Sequence, residues 1–356
     1  MQASRCAAAW CRSARPTTWK TTWWAGQSSR PRRLTAAPGP PAKENDMSAT
    51  NLELTGVYAA VLTPQHADLS PDHARLAAHS RWLLANGCDG LGILGTTGEA
   101  NSFSVAERLE ILDKLAENGV PTKTMMPGTG CCAIPDTVEV TKKAIEIGAG
   151  AVLMLPPFYY KNQSDEGLFA AYSEVIQRIG DDRLKICVYH FPQMSGVPVS
   201  MNLIAMLRKA YPDTVVGMKD SSGVLDNMLT AVREFPGFCV FSGADDLMLP
   251  VLREGGAGCI TACANIAADL AQAVHAEYRA NGDAGNVDEL QKPLAAVRRI
   301  ISGYPLIPSL KAMVARHTGD EAWLNMRPPV MKMDAGQTQR LYREYDGAGL
   351  AMAQAA

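Results

Sequence analysis

Val215-Val216-Gly217-Met218-Lys219-Asp220-Ser221-Ser222-Gly223 is a short apolar run that closes on a lysine and passes into a small polar loop. The run is too short for an ordinary helix and too apolar for a half-exposed strand. It reads as a strand covered on both faces. A lysine at the end of such a strand has two uses. It can snorkel, laying its stem along the core and its ammonium in solvent. Or it can stay among apolar neighbours, where the neutral amine is favoured and acts as a nucleophile towards a carbonyl.

Similar runs recur on both sides of this one. Strands are predicted at 57–62, 90–94, 124–126, 151–155, 186–189, 215–219, 239–241 and 258–261, with helix-length amphipathic segments between them. Ser70-Pro71-Asp72 reads as one helix start, with Ser70 as N-cap and Pro71 in the first turn. Ser104 followed by Glu107 reads as a capping box. Asn86-Gly87 and Asn118-Gly119 stand where helices should stop. Strand–helix alternation implies a parallel sheet, and eight repeats favour a closed (β/α)8 TIM barrel over an open sheet. The barrel is expected over 47–282, followed by a C-terminal helical region at 283–356.

A barrel concentrates chemistry at the C-terminal ends of its strands. Four loops meet that condition. After the second strand comes Gly95-Thr96-Thr97-Gly98-Glu99, whose backbone N–H groups and hydroxyls suit a carboxylate. No P-loop lysine follows, so a polyphosphate is disfavoured. The fifth strand ends in Tyr189-His190-Phe191-Pro192, with the tyrosine at the barrel mouth or filling its interior. The seventh and eighth lead into Ser242-Gly243-Ala244-Asp245-Asp246 and Ile260-Thr261-Ala262-Cys263. Gly243 and Asp245 are substrate-contact candidates there, and Asp246 reads as the cap of the next helix. A strand-end lysine, a nearby tyrosine and a carboxylate cradle on one face describe attack of an amine on a 2-oxo acid.

Composition removes other classes. The 356 residues are 47% hydrophobic and 20% charged with a net charge of −2, which is globular composition. Residues 1–46 hold eight Lys/Arg against Glu44 and Asp46, so the remainder carries 26 basic and 34 acidic residues. An acidic body argues against a nucleic-acid partner. No stretch reaches the roughly 18 apolar residues of a membrane span. The nine cysteines show no CxxC pair or framework spacing, which suits reduced thiols in a cytoplasmic or matrix protein. Zinc is not expected. A metal-dependent aldolase would need a histidine-rich ligand set, yet the six histidines fall mostly on predicted helices and loops.

Residues 1–46 differ from the rest. They contain four of the six tryptophans, lack periodic apolar spacing and end in a Pro/Gly-rich tract. No apolar core of a secretory signal is present. Two readings stay open: an organellar transit peptide, or a segment outside the natural chain with Met47 as the true start.

With these motifs in order, GTTGE, YHFP, GMKDSSG and SGADD, the sequence resembles the dihydrodipicolinate synthase / N-acetylneuraminate lyase family from about Gly56 to about Pro329. The resemblance implies Lys219 as the imine-forming residue and Tyr189 as the proton shuttle, with Thr97 its relay partner. It implies Thr96 and Thr97 on the carboxylate of pyruvate and the Ile260 carbonyl facing the keto acid. Tyr160 would enter a neighbouring subunit's site in a homotetramer built as a dimer of dimers. No metal or organic cofactor is implied, since the iminium is itself the electron sink.

Two positions depart from the pattern. Dihydrodipicolinate synthases resemble one another in an arginine two residues after the proline of Tyr-x-x-Pro, on the carboxylate of a semialdehyde. This chain has Met194, which cannot make a bidentate contact. Sialate lyases tend to have Asn after the tyrosine and a serine where this chain has Ala262; here His190 follows the tyrosine. The expected reaction is cleavage, condensation or dehydration of a sugar-acid-type 2-oxo acid, with a neutral polyol or sugar-derived aldehyde as second substrate. The alternatives are 4-hydroxy-tetrahydrodipicolinate synthase activity and a non-catalytic keto-acid-binding barrel.

Overall fold

The computed structural model describes residues 54–354; the expectations for residues 1–46 lie outside them. Seven strands form: β1 (Gly56–Ala60), β2 (Gly90–Gly92), β3 (Val152–Met154), β4 (Ile186–His190), β5 (Val215–Asp220), β6 (Cys239–Ser242) and β7 (Gly258–Thr261). All pairs are parallel, in the order β2-β1-β7-β6-β5-β4-β3. Helices connect them, and the arrangement is the (β/α)8 barrel expected from the sequence.

The strand predicted at 124–126 is the exception. Residues 125–129 fill the gap between β2 and β3 as an irregular stave. Met126 N donates to Leu91 O (2.8 Å) and Gly128 N to Ile93 O (2.7 Å) on one side. Thr129 N donates to Leu153 O (3.0 Å), and Pro127 O accepts from Leu153 N (2.8 Å), on the other. Pro127 has no N–H to give, so a regular ladder cannot run through it. The barrel still closes.

Both strand faces are apolar because both are covered. Tyr58, Leu153, Cys187, Tyr189, Phe241 and Ile260 point into the barrel and pack on one another. Val57, Val188, Met218, Val240 and Cys259 point outwards under the helices. Each large side chain so buried contributes roughly 1.5–3 kcal/mol. Asn265 helps to close the ring. Its amide donates to Ala60 O and Ala262 O, both at 2.8 Å, while Oδ1 accepts from Leu62 N (3.1 Å) and lies 3.0 Å from His79 Nε2. Burial pushes the His79 ring down to about 4. The ring is therefore neutral, and its Nε2 carries the proton that Asn265 accepts.

The capping box at Ser104 and Glu107 is present. Asn86 and Asn118 end their helices, each followed by a glycine at positive φ. The helix His73–Ala85 is capped by Asp72, not Ser70: Asp72 Oδ1 accepts from Arg75 N at 2.9 Å. Ser70 is spent in the preceding turn, where its N–H and hydroxyl both bond Asp68. Asp246 does not cap either. It is exposed in a 3-10 turn, Asp245–Leu247, that runs straight into the helix Met248–Arg253.

Beyond residue 282 there are helices and no strands among the described residues. The main ones are Val287–Ser302, Leu306–Thr318 and Ala335–Gly347. The first lies against the helix Ala264–Asn281 and the Asp245–Leu247 turn. No described helix is long and apolar enough to cross a membrane.

Candidate active site

Lys219 is the fifth residue of β5 and pairs directly with Tyr189 of β4. The register sets the amine beside the phenol, with Nζ 4.6 Å from the Tyr189 ring centroid. Both side chains are buried, 5% and 4% exposed. Phe191 stacks near Tyr189, with ring centroids 5.8 Å apart. Lys219 has no carboxylate partner among the described residues, although the next residue, Asp220, is fully buried. Asp220 instead accepts from Ser222 N (2.7 Å) and Asn227 Nδ2 (2.5 Å). The strand alternation turns the acid away from the amine.

Lys219 and Tyr189 open into a cavity of about 290 Å3 at the C-terminal end of the strands. Thr96 and Thr97 line it, as do Ser221, Gly243 and Ala262. Leu306, Ile307, Pro308 and Val330 from the C-terminal region close it above. The residues read from the sequence at the ends of β2, β4 and β5 therefore converge. Gly243 belongs to the wall for a packing reason. A Cβ there would stand 2.2 Å from Ser221 Oγ and 2.7 Å from Asp220 O.

The Thr96-Thr97 loop is held from outside the barrel. Glu99 takes a left-handed conformation, φ 57°, and buries its carboxylate. Lys311 Nζ donates to Glu99 Oε1 at 2.5 Å and to Asn325 O at 2.8 Å, and Gln65 Nε2 donates to Glu99 Oε2 at 3.1 Å. Neither member of the Lys311–Glu99 pair is exposed. Burial pushes the Lys311 ammonium down and the Glu99 charge opposes it. Gly98 is required for fit against the segment that follows β1, since a Cβ would come 2.8 Å from Val61 O. The glycine thus serves packing, where the sequence suggested close approach to a ligand.

Other candidates stand elsewhere. His190 alternates to the outer face, where Nδ1 accepts from Val199 N at 3.0 Å. Burial lowers its affinity for a proton, against the nearby Asp220 charge. It supports the turn after β4 and does not line the cavity. Asp245 is fully buried behind the wall: Oδ1 accepts from Thr261 Oγ1 at 2.6 Å. Burial pushes its carboxyl up, while Thr261 and the charge of Arg298 oppose the shift. The Ile260 side chain is in the barrel interior and does not line the cavity. Met194, in the short helix Pro192–Ser195, lies at the mouth, 62% exposed. Tyr160 stands outside its own chain's cavity, 71% exposed, with Tyr159 edge-on at 5.3 Å.

Arg298, on the helix Val287–Ser302, is the charged wall residue that sequence reading missed. The rule of strand ends says nothing about helices beyond the barrel. A larger cavity, about 490 Å3, lies between the helices His73–Ala85 and Leu306–Thr318 and is lined by Trp82, His317, Trp323 and Met352. No strand end reaches it, and neither Lys219 nor Tyr189 lines it, so the smaller cavity is the candidate active site.

A closed parallel barrel with an amine and a phenol at its C-terminal strand ends defines a TIM-barrel enzyme. Residues 53–345 match the model of the dihydrodipicolinate synthetase family. An uncharacterised DapA-like lyase from Chloroflexus aurantiacus is 33% identical over 83% of this chain and 97% of its own length. A 4-hydroxy-tetrahydrodipicolinate synthase from Agrobacterium fabrum is 31% identical over 78% and 92%. The crystal structure of dihydrodipicolinate synthase from Agrobacterium tumefaciens superposes with a TM-score of 0.75 at 29% identity, covering 83% of this chain and 99% of that one. The chain belongs to the dihydrodipicolinate synthetase family and is a lyase.

Proposed function

We propose that the protein is a class I lyase that forms a Schiff base between Lys219 and pyruvate or a related 2-oxo acid. The observation that carries this is the Lys219 amine, buried without a carboxylate partner and set over Tyr189 at the floor of the cavity. The Lys219 nitrogen attacks the C2 carbonyl, water leaves, and an iminium forms. Deprotonation at C3 gives an enamine, which adds to an aldehyde in condensation. Cleavage runs the same steps in reverse, and dehydration expels a C4 hydroxyl as water.

Tyr189 moves the protons of these steps. An ordinary phenol ionises near pH 10, so it needs a relay, and Thr97 is placed on the same cavity wall. Thr96 and Thr97 offer their hydroxyls and backbone to the 2-oxo acid's carboxylate, with the Ile260 carbonyl on the keto-acid side. Tyr160 completes the relay in a neighbouring copy within a homotetramer; its exposure on the single chain is consistent with that role. The iminium supplies the electron sink, so neither metal nor organic cofactor enters. The protein works in the cytoplasm.

The substrate is a sugar-acid-type 2-oxo acid, supported by Met194 at the mouth in place of a carboxylate-binding arginine. The alternative, 4-hydroxy-tetrahydrodipicolinate synthesis, has the names of the relatives in its favour. Borohydride with labelled pyruvate should mark the wild-type protein covalently, and Lys219→Ala should take up no label. Equal labelling of the variant sinks the imine. Rescue of a lysine auxotroph would decide for the alternative.

A further inference from the structure

We infer that Arg298 forms a subsite for a second carboxylate, so that the substrate is anionic at both ends. This rests on the imine reading above, and it revises the neutral second substrate expected from Met194.

The cavity wall carries two cationic groups, Lys219 and Arg298, and no acid. One cation is committed to the carbonyl. The other has no ion-pair partner among the described residues. Two groups face Arg298 from behind the wall, the buried Cys263 and Asp245. The Arg298 charge acts on Asp245, yet the two do not come within ion-pair distance. One carboxylate oxygen of Asp245 is taken by Thr261, and the Cys263 thiol stands within hydrogen-bond reach of both Asp245 and Arg298. The guanidinium is therefore held near the cavity by an incomplete counter-ion, with donors left over.

Position completes the argument. Arg298 enters beside β6 and β7, because its helix packs on the Asp245–Leu247 turn and on the helix that follows β7. The Thr96-Thr97 loop follows β2, and Met194 follows β4. The positive charge thus reaches the cavity from a different side than the one Met194 leaves apolar. Leu306, Ile307, Pro308 and Val330 line the same cover and offer no competing charge. A lone guanidinium presents one planar fork, which matches a carboxylate bidentately. Lys219, the other cation of the wall, is committed to the carbonyl and the Thr96-Thr97 loop to the first carboxylate, so Arg298 meets the far end alone, short of what a phosphate dianion calls for. The second substrate, or the far end of the cleaved acid, is accordingly a carboxylate-bearing chain.

Borohydride trapping tests this without knowing the natural substrate. The probes are 2-oxoglutarate and 2-oxoadipate against their uncharged-end counterparts of equal carbon number, 2-oxopentanoate and 2-oxohexanoate. In wild type, at least one dicarboxylate should half-saturate trapping at roughly tenfold lower concentration than its counterpart. Arg298→Gln should erase the preference. Arg298→Lys, which keeps the charge without the fork, should retain part of it and stands in if the glutamine variant does not fold. Equal half-saturation in wild type, or a preference that survives in Arg298→Gln, overturns the subsite. If Arg298 serves only to balance Asp245, its replacement lowers stability and leaves the preference intact, which overturns it too. Pyruvate is the control: if wild type is not trapped by pyruvate, the imine reading itself has failed.

Discussion

Lys219 and Tyr189 occupy matched positions on neighbouring strands, so the backbone itself fixes the amine over the ring. The sequence showed both because barrel chemistry collects at strand ends, and both runs stop there. Proximity assigns different steps to them. Tyr189→Phe keeps the ring under Lys219 and removes only the hydroxyl. Trapping by pyruvate should persist while turnover falls roughly 10²- to 10⁴-fold, the usual scale for losing a positioned proton-transfer group. Parallel loss of trapping and turnover would mean that the hydroxyl does something before the imine forms. His190 and Asp245 show where residue-level reading fails. Each is adjacent to the site in sequence, and each is taken by a backbone or side-chain partner that only the folded chain supplies.

At the scale of elements, the Thr96-Thr97 loop is a turn gripped by a helix more than 200 residues away. Lys311 and Glu99 are both buried, so removing one leaves an uncompensated charge. Lys311→Met should cost about 3–5 kcal/mol in urea unfolding. Adding Glu99→Met should restore part of that loss, because the stranded carboxylate goes with it. A double variant no more stable than the single would refute the account. Glu99 was legible as part of a motif, but its partner was not, since nothing in the local pattern around Lys311 marks it as buried. Of the stave at 125–129 only the start was legible: the strand predicted at 124–126 covers Met125 and Met126, while Thr124 ends a 3-10 turn. The stave's irregularity follows from Pro127, whose missing N–H was in plain view.

For the whole molecule, the C-terminal region is fastened to the barrel by ion pairs as well as by packing. Arg327 donates to Glu107 and to the carbonyls of Leu69 and Ser102, with its guanidinium 4.4 Å from the Phe103 ring centroid. Arg327 holds the Glu107 carboxyl down to about 2, against a usual 4.5. A depressed carboxyl stabilises the folded state above its unfolded pKa and loses that contribution as pH falls through the folded one. Glu107→Gln should therefore be less stable by about 1–2 kcal/mol at pH 7, allowing for partial solvent screening. The gap should close between about pH 4.5 and 2 in thermal melts. A gap that stays constant over that range would contradict the assignment. The barrel class was readable from eight periodic runs. The cover over the site was not, because helices beyond the last strand carry no periodic sign of where they dock.

That cover has an evolutionary consequence. Lys219, Tyr189 and the threonine loop come from strands and turns before residue 262, whereas Arg298, Leu306, Ile307, Pro308 and Val330 come after residue 286. On the function proposed above, the reacting pair and most of the cover, Phe191 and Met194 excepted, are written in separate stretches of the gene. If Lys219 carries the imine as proposed, mutation of that later stretch reworks which acids are admitted while the lysine is inherited untouched, and a lineage can change its diet without relearning its chemistry.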